Sequence, residues 1–192
     1  MGTWVTRATL YAGILTLLLP SVTVAEDLAL PADVEAKLSA SVAAYDRTLA
    51  ARARDRVVIA ILTNSSDADS SRAAAQLQGA FRELETIGRL PHEEFILPWK
   101  DAASLAAACA ARSVSIVFLS TGLGHAIEPI LKALEGSRAL TIAGSLPYVT
   151  KGVILGFDLV SGRPKVVINI TMAKKQGLDF RAELLRLALV VE

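Results

Sequence analysis

Three short apolar runs constrain this chain more than any other feature: "VVIAIL" at 57–62, "SIVFL" at 115–119 and "ALTIA" at 139–143. Each is too short for a globular helix, rich in β-branched residues, and free of polar alternation. Such runs are strands covered on both faces. "EEFILPW" at 93–99 reads as a shorter strand of the same kind. Helical patterns stand between them. Ala74, Leu77, Phe81 and Leu84 recur on one face of a helix that ends at Gly88. "DAASLAAACAAR" begins with Asp101 as its N-cap, and "HAIEPILKALEG" carries Pro129 in its first turn and stops at Gly136. The βαβαβαβ alternation predicts a three-layer α/β sandwich with a mostly parallel sheet.

The two ends of the chain depart from that rhythm. Near the start, Val34, Leu38, Val42, Tyr45 and Leu49 follow Pro31 at helical spacing and predict one helix over 32–53. Near the end, "VILGFDLVSGRPKVVINI" is two strands joined by "SGRP", an antiparallel hairpin. Closing helices follow. Thr171 caps the first and Gly177 stops it, while Asp179 caps a second that brings Phe180, Leu184, Leu185, Ala188 and Leu189 to one apolar face.

Ahead of all this stands "MGTWVTRATLYAGILTLLLPSVTVAED". Arg7, an apolar run, Pro20, and small residues at Thr23 and Ala25 define a secretory signal peptide cut after Ala25. The apolar run falls short of the roughly 20 residues a spanning helix needs, and no later stretch reaches that length. The expectation is a periplasmic protein with no stable membrane insertion after cleavage. The expected organisation is a signal peptide over 1–25, a helical segment over 26–55 and an α/β domain over 56–192. Arg7 is the one charged residue before the cut, so the mature chain has equal numbers of basic and acidic side chains. That balance argues against nucleic acid as a partner.

Little in the chain suggests catalysis. His125 lies close to Ser120, but no strained G-x-S-x-G elbow accompanies them, so His125 reads as an ordinary first-turn residue. His92 in "LPHEEF" reads as solvent-facing, and the adjacent Glu93 and Glu94 alternate across a strand. No catalytic, metal or cofactor motif is assigned. Cys109 is the only cysteine; it reads either as a buried thiol or as half of an intermolecular disulfide. In an open parallel sheet, ligands lie beyond the carboxyl ends of the strands. The small polar residues there are Asn64, Ser65 and Ser66, then Ser120, Thr121 and Gly122, then Gly144 and Ser145. They are the candidate ligand-binding set, for a small anion or polar solute.

From residue 56 onward the sequence resembles the YfiR-like family of exported bacterial proteins. The resemblance is carried by the tail, "KGVILGFDLVSGRPKVVINITMAKKQGLDFRAELLRLALVV": Gly152, the Ile168–Asn169 step, Gly177–Leu178, and the closing Leu184 to Ala188. "SIVFLS" is similar to the family's central strand. The resemblance implies a non-enzymatic periplasmic regulator that binds a membrane-bound signalling protein. In the best-known case it holds a diguanylate cyclase inactive, which lowers cyclic-di-GMP. It also implies homodimers. Well-known members carry paired cysteines; here Cys109 is alone and Val114 stands ahead of the central strand. The alternative is a small solute-binding protein serving a transporter or sensor, although such proteins usually enclose a cleft between two lobes.

Overall fold

The computed structural model describes residues 30–192; the signal peptide and its cut lie outside the described residues. Strand β1 (Val57–Thr63) is buried along its whole length. Val57, Ile59 and Ile61 enter one core, while Val58, Ala60 and Leu62 enter another on the opposite face. β2 (His92–Pro98) and β3 (Ile116–Leu119) flank β1 in parallel, β4 (Leu140–Ala143) lies beyond β3, and β5 (Leu155–Val160) follows β4, again in parallel. β6 (Arg163–Asn169) turns back antiparallel to β5, with Val160 opposite Arg163. A last strand, β7 (Leu189–Val191), runs parallel to β6. The sheet order is β2-β1-β3-β4-β5-β6-β7.

Helices cover both faces. α1 (Ala32–Ala44), α2 (Leu49–Ala53) and α3 (Ala68–Arg82) pack against the odd residues of β1. On the same side lie α7 (Ile170–Lys175) and α8 (Ala182–Leu187). α4 (Ala102–Arg112) and α5 (Ile127–Ala133) cover the even residues of β1. A single turn, α6 (Leu146–Val149), sits at the carboxyl end of β4. The expected three-layer sandwich, parallel core and hairpin are all present. Asp101 accepts from the Ser104 N–H as the N-cap of α4, at 2.7 Å.

Three local expectations are corrected. The single helix over 32–53 is broken at Tyr45–Thr48 into α1 and α2. The Asp46 carboxylate accepts from the Thr48 N–H at 2.9 Å and the Thr48 hydroxyl at 2.8 Å, a local turn that competes with helical bonding. The opened backbone is taken up by the tail: Arg47 N–H donates to Asp179 O at 2.9 Å, and Arg181 N–H to Tyr45 O at 3.0 Å. Asp46 also forms a buried ion pair with Arg52, whose other nitrogens reach Thr48 and the Ser115 carbonyl.

The closing helix is the second correction. α8 spans only six residues, and the chain then becomes β7. Val167, Ile168 and Asn169 of β6 present an open edge, and β-branched Val190 and Val191 satisfy it as a strand. Phe180 and Leu184 are buried as expected, but Leu185 and Ala188 are only partly covered, and Leu189 is exposed. Asp179 caps nothing; Arg181 occupies that position with no side-chain capping bond. Asn169, not Thr171, caps α7, its side chain accepting from Met172 N–H at 2.9 Å. Gly177, with φ of +72°, does stop α7.

The third correction is His92. Its side chain is 6% exposed, with ring nitrogens 3.1 Å from Glu94 Oε2 and 2.8 Å from Leu84 O. Alternation along β2 turns His92 and Glu94 to one side, beneath the end of α3, while Glu93 meets Arg56 on the other.

Two expected outcomes follow from this packing. Asp46→Ala strands a buried guanidinium, so urea unfolding should show a loss of about 3–5 kcal/mol, whereas Arg47→Ala, which removes an exposed pair with Asp179, should cost within about 1 kcal/mol. In thermal or urea melts, Leu184→Ala should cost about 2–5 kcal/mol and Leu187→Ala, at an exposed position, no more than about 0.5 kcal/mol.

Candidate functional site

With β1 central and the chain winding outward to β2 on one side and β3 on the other, the topological switch falls between β1 and β3. A cleft at that point would need free polar groups. The chain instead ties them together. Ser70 Oγ lies 2.7 Å from Ser120 Oγ and 3.2 Å from Thr63 Oγ1, and it accepts from Asn64 N–H at 2.9 Å. Asn64 Nδ2 donates to Gly122 O at 3.1 Å, and Asn64 Oδ1 accepts from Ser66 N–H. Gly122 has φ of +77°, and a Cβ there would strike the Asp67 carboxylate that caps α3. Asn64 and Gly122 therefore fasten the β1–α3 and β3–α5 loops to each other. Ser65 and Ser66 are exposed on the outside of that junction.

The remaining predicted residues come together one strand further along. Ser120, Thr121, Gly144 and Ser145 line a cavity of about 790 Å³ across the carboxyl ends of β3, β4 and β5. This lies within the range typical of small-molecule sites. Phe157, Asp158 and Leu159 of β5 form one wall, and Leu146, Pro147 and Tyr148 of α6 another. The Tyr148 hydroxyl accepts from Leu123 N–H at 3.0 Å, which holds the ring between the cavity and the β3–α5 loop. Burial pushes its phenol above the ordinary range.

Glu35 of α1 is the lining residue that sequence reasoning missed. Its carboxylate lies against Gly144, where a Cβ would collide with Oε1. Gly144 is thus bare because an acid from another layer occupies the space beside it. Among the described residues, no side chain or backbone N–H donates to this carboxylate. Burial pushes its pKa from 4.5 up to about 7. Glu35 sits in the first turn of α1, where the helix dipole favours the anion, but by only about 0.3–1 kcal/mol at most sites, so desolvation wins. The available signal was a polar residue beside Ala36 and Ser39 on the helix face that proves buried.

Elsewhere, the residues weighed for chemistry stay apart. His125 is exposed, while the Ser120 hydroxyl is buried and donates to Ser70 O, so no Ser–His couple forms. No group of three metal-ligating side chains occurs among the described residues. Cys109 is a buried free thiol on α4, pushed up to about 11 by burial, and so is protonated at neutral pH.

The sheet order, the flanking helices and the cavity on the carboxyl edge define a doubly wound α/β protein with a ligand-sized recess. By sequence the chain belongs to the YfiR/HmsC-like family (DUF4154), whose model matches residues 33–189. The match takes in α1 and α2, which share the core of the sheet. A search of curated proteins returns no match. Among solved structures, an ABC domain from Streptococcus pneumoniae in complex with L-Trp is similar, with a TM-score of 0.62 and 14% identity over 84% of this chain and 60% of that one. A conserved domain protein from Vibrio cholerae gives 0.60 and 17%, covering 86% and 61%. A ligand-free, open substrate-binding protein with adhesive properties from Clostridium difficile gives 0.51 and 12%, covering 76% and 57%. The chain therefore spans about 60% of the length of the first two, and at these identities the likeness is one of fold.

Glu35 sets a pH dependence with a definite sign. The folded chain holds a proton on it up to about 7, while the unfolded chain releases it near 4.5. Its stabilising contribution is whole below 4.5 and is lost as the pH rises through 7. Calorimetric melting should show Glu35→Gln equal to the wild type at acid pH and more stable above neutrality. Parallel curves for the two proteins across that interval would contradict the buried carboxyl.

Proposed function

We propose that this protein is an exported, non-enzymatic regulator of the YfiR type, working by protein–protein interaction with a membrane-bound signalling partner. A diguanylate cyclase is the class of target that the resemblance implies. The observation that carries this reading is the family match over residues 33–189, nearly the whole described chain. Export rests on the n-, h- and c-region pattern of residues 1–25. The lone Cys109 is buried and protonated, so control of this member does not run through an internal disulfide.

A second reading has its own support. The cavity of about 790 Å³ lies where open α/β sheets hold ligands, and the similar folds include one solved with L-Trp and one described as substrate-binding. A small solute bound there would make the chain a sensor as well as a partner.

The test is genetic and chemical together. Deleting the gene in its native host should raise cellular cyclic-di-GMP. Re-expression with residues 1–25 should restore the original level, and re-expression without them should not. Mass spectrometry of the exported pool should give Glu26 as the first residue. An unchanged cyclic-di-GMP level on deletion would remove the cyclase as target.

A further inference from the structure

We propose that the cavity on the carboxyl edge of the sheet is a binding site for a small organic monocation, an amine carried on an apolar body, with Glu35 as its counter-ion. The inference rests on the second reading above, that the cavity takes a ligand, and names the ligand's chemistry.

The charge comes from the lining. Two carboxylates border the space, Glu35 from α1 and Asp158 from β5, and among the described residues no lysine, arginine or histidine does. Arg163 follows the lining residue Gly162 and Lys165 stands opposite Asp158 in the β5–β6 register, yet neither lines the space, and Lys151 turns its Nζ to Gly124 O at 3.3 Å. On α1 itself, Asp33 and Lys37 pair with each other at 3.2 Å as exposed side chains. An anion entering here would face two acids, with no base among the described lining residues. A zwitterion would leave its own carboxylate unpaired, which is costly in a recess. A bare metal ion needs more oxygen ligands than two acids offer, and the walls are largely apolar. An ammonium group satisfies Glu35, with the Thr121 and Ser145 edge available for its remaining N–H groups.

The shape gives the rest. Phe157 and Tyr148 line the space together with Leu119 and Leu146. Aromatic faces attract cations, and the aliphatic floor takes a hydrocarbon body. Glu35 has no hydrogen-bond or ion-pair partner among the described residues and lies against bare Gly144, which leaves it open to a counter-charge from a ligand. At neutral pH the acid is part protonated, and an arriving ammonium draws out that proton.

The experiment uses isothermal titration of the full exported chain with three probes sharing one body: 2-phenylethylamine, 3-phenylpropionate and phenylalanine. The amine should bind and the other two should not. Its affinity should fall by about tenfold per pH unit below 7, since Glu35 must ionise first. Glu35→Gln, shown folded by its melting curve, should bind the amine at least about tenfold more weakly and lose that pH dependence. Asp158→Asn should weaken binding and keep the pH dependence. Equal binding of the amine by wild type and Glu35→Gln would overturn the proposal, as would binding of no probe at millimolar concentration. Preferential binding of the propionate or of phenylalanine would overturn the cation assignment while leaving a ligand cavity in place.

Discussion

The ion pair between Asp46 and Arg52 holds the ends of this chain in register with its middle. Asp46 is completely enclosed and Arg52 is 5% exposed, so neither charge is tolerable without the other. Asp46 also accepts from Thr48 and from the Asp179 N–H, and Arg52 donates to the carbonyl of Ser115 at the foot of β3. One buried contact therefore joins the α1–α2 turn, the central sheet and the segment before α8. It fixes the direction in which α1 leaves the turn, and that direction carries Glu35 across the layer to Gly144. The candidate site is thus set at one end of α1 by charges buried at the other.

How far the sequence could be read depended on whether a single period governed each segment. β1, β3 and β4 were legible because Val57–Leu62, Ile116–Leu119 and Leu140–Ala143 are buried on both faces and almost wholly apolar, the buried Thr141 being satisfied by the Ile154 N–H. The hairpin was legible from the short "SGRP" join. The tail was not, because "LLRLALVV" satisfies a helical period and an extended one equally. Pairing with β6 decided the matter, and that partner lies outside the segment. The break at Asp46 was hidden for a related reason: Tyr45 and Leu49 keep helical spacing through it, and the turn answers to a buried arginine and to a backbone more than a hundred residues later.

The site divided along the same line. Residues at strand ends could be named from the α/β rule, and Ser120, Thr121, Gly144 and Ser145 do share one recess. Asn64 and Gly122 were indistinguishable from them in sequence, yet they serve to lock two loops together. Glu35 was out of reach because nothing local marks an acid on an amphipathic helix as facing a glycine in another layer. The absence of paired cysteines is also intelligible in the fold. Val114 packs with Cys109 into the core between the sheet and the α4–α5 layer, where the thiol is a free apolar filler.

The contacts between Tyr45–Arg47 and Asp179–Arg181 have a consequence for the order in which the molecule is assembled. Arg47 and Asp179 are 132 residues apart, and β7 is built from the last residues of all. The turn at Tyr45–Thr48 and the edge of β6 both wait on partners further along the chain. Until then Asp46 and Arg52 lack the Asp179 contact that completes their enclosure, and β6 remains an open edge. Contacts of such long sequence separation slow folding, because the loop must be closed before the contact is gained. The bond from Arg181 to Tyr45 therefore closes one of the long loops whose entropy the fold has to overcome.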